Sequence, residues 1–218
     1  MKIIEQSAEI LDKINGEEIL KKIELAGRTC YQSLDKIKPG SAAPFVAARI
    51  KAGHESILEH VSVTVRLITD RGVLAELTRH RLASYSVEST RYCNYDKDIT
   101  FIIPTDIWDY VFKDFNKFRD LKKIWKISMS NAEKDYRMLI FSGASPQEAR
   151  AVLPMSTKTE IIMTANLREW RTIFKQRCNK AAHPQMLNLM LQLLRKMSDA
   201  IPVVFDDLVN CTYKEGKA

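Results

Sequence analysis

The stretch "VSVTVRLITDRGVLAELTRHRL", residues 61–82, changes its apolar spacing half-way and decides the fold class. From Val61 to Asp70, β-branched and polar residues alternate, which is typical of a half-buried strand. From Arg71 to about Leu82 the apolar residues return to helical spacing, on Val73, Leu74, Leu77 and Leu82. A strand is therefore predicted to lead directly into a helix after Asp70.

Strand and helix patterns also mix on both sides of this stretch. Further strands are predicted in "MKIIEQ" (1–6), "ITFIIP" (99–104) and "TKTEIIMTAN" (157–166). Helices are predicted in "EEILKKIELAGRTCYQS" (17–33), "APFVAARIKAG" (43–53), "LREWRTIFKQRCNK" (167–180) and "HPQMLNLMLQLLRKMSDAI" (183–201). The second of these helices is expected to stop at Gly53.

The segment from 105 to 141 carries aromatic and apolar residues at three- and four-residue steps. It predicts one long helix or two in succession, on Trp108, Phe112, Phe115, Phe118, Leu121, Trp125 and Met129. After it, Ser145, Pro146 and Glu148 form a capping-box pattern with proline at the first helical position. A short helix is predicted from there to Leu153.

The order of these elements lacks the regular βαβ alternation of a doubly wound sheet. We therefore expect an α+β fold with a mixed or antiparallel central sheet flanked by helices, one of them long. No repeat, low-complexity tract or Gly/Ser- or Pro-rich linker marks a boundary, so residues 1–218 are predicted to form a single domain.

Composition and charge restrict the class of protein. The chain is 45% hydrophobic and 28% charged, as in soluble globular proteins, and lacks the run of about twenty apolar residues that a membrane-spanning helix needs. The start "MKIIEQSAEILDK" carries acids where a signal peptide would be apolar, so we expect a cytoplasmic protein without a membrane partner. The net charge of +7 predicts anionic ligands, and the scattered basic residues favour small-anion pockets over a nucleic-acid surface.

Several familiar phosphate and metal motifs are missing from the sequence. The seven glycines are too dispersed for a Rossmann or P-loop motif, and the four cysteines are too scattered for a zinc site. His54 and His60 are six residues apart, so they are interpreted as helix-cap and core residues and no metal is predicted. Phosphate binding is therefore expected to depend on arginine, whose planar fork binds phosphate bidentately.

The stretch "RHRLASYSVESTRY", residues 79–92, concentrates such groups. On a helix, three successive residues fan out over roughly 200°, so Arg79 to Arg81 suit a helix end that points into a crevice. Val87, Ser89 and Arg91 follow at steps of two, which in an extended segment places them on one side. As a composition, the stretch is also compatible with a solvated surface.

The order of the residues adds a resemblance. Arg79-His80-Arg81, seven further residues and Ser89 resemble the R-H-R-x7-S signature of the flavin-dependent thymidylate synthases. Other blocks resemble that family in order: "HESILEH" (54–60), "ESTRY" (88–92), "EARAVLP" (148–154), "NLR" (166–168) and "R-x5-HPQM" from Arg177. Together they extend over residues 50–190.

The resemblance implies an enzyme that converts dUMP to dTMP. It implies 5,10-methylenetetrahydrofolate as the methylene donor, FAD reduced by NADPH as the hydride source, and a homotetramer with active sites at subunit interfaces. The residues implied to contact FAD are His54, Ser56, Arg79, His80, Arg81, Val87, Asn166, Leu167, Arg168 and Thr172. Those implied to hold dUMP are Glu76, Arg79, Glu88, Ser89, Arg91, Arg150 and Arg177.

The implied roles agree with the chemistry of these side chains. Glu76 and Arg79 would share one helical face, so the carboxylate can orient the guanidinium. Ser89 and Arg91 would grip the 5′-phosphate of dUMP, with support from Arg150. Arg177 would be catalytic, because a permanent cation near uracil favours the N3-deprotonated ring, whose C5 is a nucleophile.

Three positions depart from the family pattern. Val87 stands where many members have Gln or Glu, Thr172 where Asn is found, and Ala181 where some members have His. Each departure affects one expected contact. The signature and the anion-binding arginines are intact.

Two other functions stay open. A nucleic-acid-binding protein is motivated by the positive charge, but it would require aromatics interleaved with Lys and Arg on a binding module, a pattern that the sequence lacks. A flavin-binding protein that has lost synthase activity would require damage at Arg177 or Ser89, and both residues are present.

Overall fold

The computed structural model describes residues 1–95, 98–104 and 115–214. Its strands are β1 (Lys2–Ile4), β2 (Ser7–Ile10), β3 (Ser62–Asp70), β4 (Ala83–Val87), β5 (Thr100–Ile102) and β6 (Lys158–Asn166). Its α-helices are α1 (Gly16–Thr29), α2 (Ala42–Lys51), α3 (Arg71–Leu77), α4 (Phe115–Phe141), α5 (Pro146–Ala149), α6 (Leu167–Arg177), α7 (Pro184–Ala200) and α8 (Asp206–Lys214). Short 3₁₀ helices span Leu34–Lys36, Glu55–His60 and Arg150–Val152.

The strands form two sheets. Four of them pair in the order β2-β3-β6-β4, while β1 and β5 form a parallel pair with Ile3 opposite Phe101. β6 alternates buried and half-buried residues along its whole length, as its sequence predicts. With an antiparallel sheet and a 27-residue helix, the structure confirms the α+β prediction.

The chain divides into two compact units. The first contains Met1–Ser7, Leu67–Arg79 and Tyr85–Ile162, and the second contains Ala8–Arg66, His80–Ser84 and Met163–Ala218. The units are described separately below. That residues 1–218 form a single domain stays a prediction.

The core of the first unit forms where α4 and α5 pack against β5 and its flanking residues. Ile99, Phe101, Met129, Tyr136 and Ala149 are buried there, and Trp125 packs against them. Trp108 and Phe112 lie outside the described residues, as do the side chains of Phe115 and Phe118. The predicted capping box is confirmed, since Glu148 Oε2 accepts hydrogen bonds from the backbone N–H and the hydroxyl of Ser145.

The core of the second unit is aromatic around α6. Trp170 and Phe174 stack with ring centroids 5.8 Å apart, and Phe205 meets Phe174 edge-on at 5.6 Å. Trp170 also donates its indole N–H to the carbonyl of Val63 in β3, at 3.1 Å. These contacts anchor α6, which carries four of the predicted site residues, Leu167, Arg168, Thr172 and Arg177.

The helices α1 and α2 approach each other closely at Gly27. A β-carbon at this position would lie 2.7 Å from Cε1 of Phe45, so only glycine allows the contact. After α2 the chain turns at Gly53, which has a φ of +76°, as the sequence predicts for a helix stop. The close packing fixes the end of α2 beside the segment that begins at His54.

The helix predicted from 71 to about 82 is shorter than expected. Asp70 caps its start by accepting a hydrogen bond from the backbone N–H of Val73, but α3 ends at Leu77. The hydroxyl of Tyr85 in β4 donates to the carbonyl of Leu77, which satisfies the last turn through a tertiary contact. Leu82, predicted to be part of the apolar face, is 74% exposed.

Of two further expectations, one holds only for the position, since His54 is the N-cap residue, and the other is wrong. His54 precedes the 3₁₀ helix Glu55–His60 without making a side-chain cap bond within the described residues, and His60 is exposed instead of being in the core. This segment presents Ile57 and Leu58 to the interior, so its histidines face outward. The strands β2 and β4 and the helix α8 were not predicted as elements.

Candidate active site

The Arg79-His80-Arg81 signature lies between α3 and β4. Arg79 and Arg81 are exposed, whereas the side chain of His80 is buried, with 6% of the residue accessible. The three side chains therefore do not share one face, in agreement with the argument from their spacing. Arg79 lies two residues beyond the end of α3, and its backbone N–H donates to the carbonyl of Glu76. The pairing of the two side chains stays a prediction.

His80, Glu169 and Arg177 meet in the second unit, and we call them the His80 cluster. Nε of Arg177 donates a hydrogen bond to Nε2 of His80 at 3.0 Å. On the other side of the ring, Nδ1 of His80 lies 3.8 Å from a carboxylate oxygen of Glu169. The predicted catalytic arginine is thus fixed by the histidine of the signature, 97 residues away in sequence.

The electrostatics of the His80 cluster favour a neutral imidazole. Burial lowers the pKa of His80, and the positive charge of Arg177 lowers it further. Because Nε2 accepts the hydrogen bond from Arg177, the neutral ring carries its proton on Nδ1, facing Glu169. Burial raises the pKa of Glu169.

The start of α6 determines where the other predicted flavin residues lie. Asn166 caps the helix by accepting a hydrogen bond from the backbone N–H of Glu169 at 2.8 Å. Leu167 is fully buried, so only its backbone is available to a ligand. Arg168 is exposed and ion-paired with Glu59. The hydroxyl of Thr172 donates to the carbonyl of Arg168, as is common for threonine inside a helix.

Three of the predicted flavin residues line one cavity in the second unit. This cavity, of about 350 Å³, is bordered by His54, Ser56 and Arg168, together with Tyr31 and Arg49. Its volume lies in the range of small-molecule sites. The cavity therefore brings two arginines, Arg49 and Arg168, to one place.

A buried arginine holds one wall of this cavity. Arg171 makes a two-pronged ion pair with Asp207 of α8, with both N–O distances at 2.7 Å, and also donates to Glu55 at 3.2 Å. Lys175 donates to the same carboxylate at 3.0 Å. Burial opposes ionisation of Glu55, but these two cations outweigh it and lower its pKa. The network thus fixes the segment between His54 and Ser56.

Glu88 is the centre of a second group of contacts, in the first unit, which we call the Glu88 cluster. Its carboxylate accepts hydrogen bonds from Lys158 at 2.7 Å and from the hydroxyl of Tyr95 at 2.6 Å, and its carbonyl accepts one from Arg71. Burial opposes ionisation of Glu88, but Lys158 and Tyr95 outweigh it and lower the pKa of the carboxyl. Burial and the neighbouring Glu88 raise the pKa of Tyr95.

The segment after β4 forms a turn where extended backbone was one expectation. β4 ends at Val87, and the backbone N–H of Cys93 donates to the carbonyl of Ser89. The hydroxyl of Ser89 accepts a hydrogen bond from the backbone N–H of Arg91 at 3.2 Å. Arg150 reaches the same turn by donating to the hydroxyl of Thr90 at 3.3 Å. The structure therefore brings Ser89, Arg91 and Arg150 to one place.

Sequence reasoning did not find several residues that contact the predicted ones. Arg71, Tyr95 and Lys158 surround Glu88, Glu169 faces His80, and Arg49 lines the cavity. Only the position of Lys158, at the start of an alternating strand, gave a weak signal. The other contacts join residues that are distant in sequence or follow no spacing rule.

Two searches of the described part of the chain were negative. Residues 1–95, 98–104 and 115–214 contain no group of three His, Cys, Asp or Glu side chains that could hold a metal ion. Within the same ranges, each helix is too short or too polar to cross a bilayer.

Comparison with known proteins identifies similar sequences and one similar fold. A family model described as thymidylate synthase complementing protein matches residues 9–203. A probable flavin-dependent thymidylate synthase of Mycobacterium phage D29 is 34% identical over 203 residues, covering 88% of this chain and 85% of the relative. A flavin-dependent thymidylate synthase of Mycolicibacterium vanbaalenii is 36% identical over 196 residues, covering 85% and 78%.

Among solved structures, a UMP/dUMP methylase, PolB, from Streptomyces cacaoi, bound with 5-Br dUMP, is similar in fold. It superimposes with a TM-score of 0.82 over 97% of both chains, at 21% sequence identity. At this identity the likeness establishes the fold.

Proposed function

Because this chain belongs to the flavin-dependent thymidylate synthase family, we propose that it is an enzyme that converts dUMP to dTMP. The added carbon would come from 5,10-methylenetetrahydrofolate and the hydride from FAD reduced by NADPH. The similar fold of a methylase bound to a dUMP analogue supports dUMP as the substrate.

The observation that carries this proposal is the hydrogen bond between Arg177 and His80. It joins two sequence blocks of the family, the R-H-R signature and the block that begins at Arg177. A neutral imidazole accepts the hydrogen bond without adding negative charge, so this contact orients the guanidinium and leaves its charge in place. A cation held in this way stabilises negative charge on a uracil ring and so favours attack by C5.

The turn after β4 is proposed to bind the phosphate of dUMP. The hydroxyl of Ser89 and the guanidinium of Arg150 provide donors at this turn, and Arg91 belongs to the same turn. Glu76, Arg79 and Glu88 are proposed to contact the nucleotide as well. The carboxylate of Glu88 already accepts hydrogen bonds from Lys158 and Tyr95, so we expect its main effect to be on the shape of the turn.

The residues of the second unit fit a flavin dinucleotide. The cavity beside His54, Ser56 and Arg168 also contains Arg49, so two guanidinium groups and the carboxylate of Glu55 line it. FAD would supply the hydride when bound. We propose that the cavity residues bind it together with Arg79, His80, Arg81, Val87, Asn166, Leu167 and Thr172.

The state of Cys178 supports a mechanism without a protein thiol. This residue directly follows Arg177, but burial raises the pKa of its thiol to about 12. At neutral pH it is therefore a thiol and a poor nucleophile. We assign it to the core of the second unit.

Three further properties complete the proposal. By family resemblance we propose NADPH as the reductant, a homotetramer with active sites at subunit interfaces, and a cytoplasmic location. Analytical ultracentrifugation tests the tetramer directly, and comparing NADPH with NADH oxidation tests the reductant.

The test is the colour and activity of the purified protein. We expect a yellow protein that forms dTMP from dUMP only when NADPH and 5,10-methylenetetrahydrofolate are both present. A colourless protein that added FAD fails to saturate would contradict the proposal and reopen the nucleic-acid alternative. Bound FAD without dTMP formation would identify a flavin-binding protein that lacks synthase activity.

A further inference from the structure

We propose that Arg49 binds a phosphate group of the flavin dinucleotide in the cavity of the second unit. The family signature does not include this residue, and the inference rests on the proposed function because it takes FAD as the ligand. Arg49 lines the same cavity as His54, Ser56 and Arg168.

The fold fixes the position of Arg49 from two directions. It lies in the last turn of α2, where its carbonyl accepts a hydrogen bond from the backbone N–H of His54 at 2.9 Å. Its guanidinium carbon lies 5.5 Å from the centre of the Phe45 ring, a distance typical of a cation–π contact. The side chain is therefore held beside His54 by its own backbone and by an aromatic support.

Neighbouring arginines differ from Arg49 in their charge partners. Arg28 lies over the same Phe45 ring at 4.7 Å but is ion-paired with Glu24 at 2.7 Å. Arg168 lines the same cavity and is ion-paired with Glu59. Among the described residues, by contrast, no carboxylate oxygen lies within 4.0 Å of a guanidinium nitrogen of Arg49.

One donor of Arg49 is also out of reach of solvent. Its Nε atom is buried and makes no hydrogen bond to any described residue. Nε of Arg171 is in the same state although its terminal nitrogens are ion-paired, so this donor alone does not indicate a ligand. The lack of a carboxylate partner and the position on the cavity wall are what give Arg49 the properties of an anion-binding residue.

Phosphate is the ligand group that fits best. The planar guanidinium presents parallel N–H donors that match two phosphate oxygens, and the nearby Arg168 adds a second cation. FAD carries two phosphates, whereas riboflavin has the same ring system and no phosphate. Comparing the binding of FAD with that of riboflavin therefore distinguishes a contact to the phosphates from a contact to the ring system.

The experiment compares the binding of FAD, ADP and riboflavin to the wild type and to three variants. Arg49→Gln removes the charge, Arg49→Lys keeps the charge without the fork, and Arg66→Gln is a matched control on β3. Arg66 is half exposed and ion-paired with Glu9. Dissociation constants are measured by fluorescence quenching for the flavins and by calorimetry for ADP, and thermal melting confirms that each variant is folded.

We expect Arg49→Gln to weaken FAD and ADP binding about 10- to 100-fold, as for the loss of a charged hydrogen bond. Arg49→Lys should lie between Arg49→Gln and the wild type, while riboflavin binding and the Arg66→Gln control should be unchanged. Equal FAD affinity in Arg49→Gln and the wild type would overturn this inference and leave the proposed function intact. An equal loss of riboflavin and FAD binding would also overturn it, because the contact would then be to the ring. A wild type that binds no FAD would remove the proposed function and this inference together.

Discussion

The His80 cluster and the Glu88 cluster each hold a half-buried charged group, and they do so in different ways. In the Glu88 cluster, the carboxylate meets a lysine ammonium at 2.7 Å and a tyrosine hydroxyl at 2.6 Å. In the His80 cluster, the guanidinium of Arg177 donates to a ring that burial keeps neutral. In the Glu88 cluster, the lysine neutralises the charge of the carboxylate. In the His80 cluster, the contact with His80 orients the guanidinium of Arg177 without neutralising it.

The difference indicates distinct roles. A matched ion pair has little field left to act on a ligand, so the Glu88 cluster is suited to shaping the turn that carries Ser89. The contact with the neutral ring of His80 leaves the field of the Arg177 guanidinium in place, which is what stabilisation of a negatively charged ring requires. We therefore propose that the residues that the family resemblance assigns to one active site divide into a supporting set and an acting set.

The largest expected effect is that of replacing Arg177. Arg177→Ala should lower kcat about 10²- to 10³-fold, the range for removing one preorganised electrostatic donor. The FAD content of the purified variant should change little, because the proposed role is toward uracil. Absorbance spectra give the FAD content and dTMP formation gives kcat. An equal loss of both quantities would make Arg177 structural and end the contrast between the clusters.

The next effect concerns the acceptor on His80. His80→Gln keeps an oxygen that can accept the hydrogen bond from Nε of Arg177, whereas His80→Phe has no acceptor. We expect His80→Phe to lower kcat about 10- to 100-fold and His80→Gln to lose much less. Both variants are assayed at saturating FAD, so that weaker flavin binding does not enter kcat. Equal kcat values for the two variants would show that the hydrogen bond has no role in turnover.

A smaller effect, on stability, is expected in the Glu88 cluster. Glu88→Gln should lower the free energy of unfolding by about 1–3 kcal/mol at pH 7, because it leaves the half-buried Lys158 with a weaker partner. Glu160→Gln is the matched control, since its carboxylate is more exposed and lies 3.5 Å from the same ammonium. Urea unfolding measures both. A larger loss for Glu160→Gln would reassign the charge partner of Lys158.

Acidification should remove the difference in unfolding free energy between the wild type and Glu88→Gln. The folded-state pKa of Glu88 is lowered, so its contribution is present above the unfolded value of about 4.5 and is lost as pH falls through the folded pKa. The wild type and Glu88→Gln should therefore converge in unfolding free energy below pH 4.5. Stability curves that stay parallel down to low pH would contradict the lowered pKa.

The smallest effect is a shallow pH dependence from His80. Its folded pKa is lowered, so the unfolded chain takes up a proton first and the fold loses stability as pH falls below the unfolded value of about 6.5. The charged groups that face the ring are Arg177 and Glu169, and the raised pKa of Glu169 acts in the opposite direction. Replacing His80 by Gln should remove this pH dependence of the unfolding free energy. Nitrogen NMR should find the proton on Nδ1; a proton on Nε2 would be incompatible with the contact to Arg177.

The sequence predicted the elements whose pattern is local and repeated. β3, β6 and α7 follow from apolar spacing, and the cap at Ser145 follows from three residues. The end of α3 could not be predicted, because Leu77 is capped by a hydroxyl that arrives from β4. Local spacing carries no information about such a tertiary contact.

In the candidate site, too, the residues could be predicted from the sequence but their tertiary contacts could not. Order and spacing identified Arg177 and His80 as family residues, but not that they touch each other. Glu169 has no sequence signal, because its carboxylate reaches a ring 89 positions earlier in the chain. For Arg49 the sequence predicts only a helical position, because the lack of a nearby carboxylate among the described residues is visible only in the three-dimensional structure.

Gly27 shows how a missing side chain can control a charge on another helix. A β-carbon there would displace the Phe45 ring, over which both Arg28 and Arg49 lie. A side chain at position 27 would therefore force the ring of Phe45 to shift, and the guanidinium of Arg49 would lose its aromatic support. A glycine on α1 thus helps to set the position of a charge on α2.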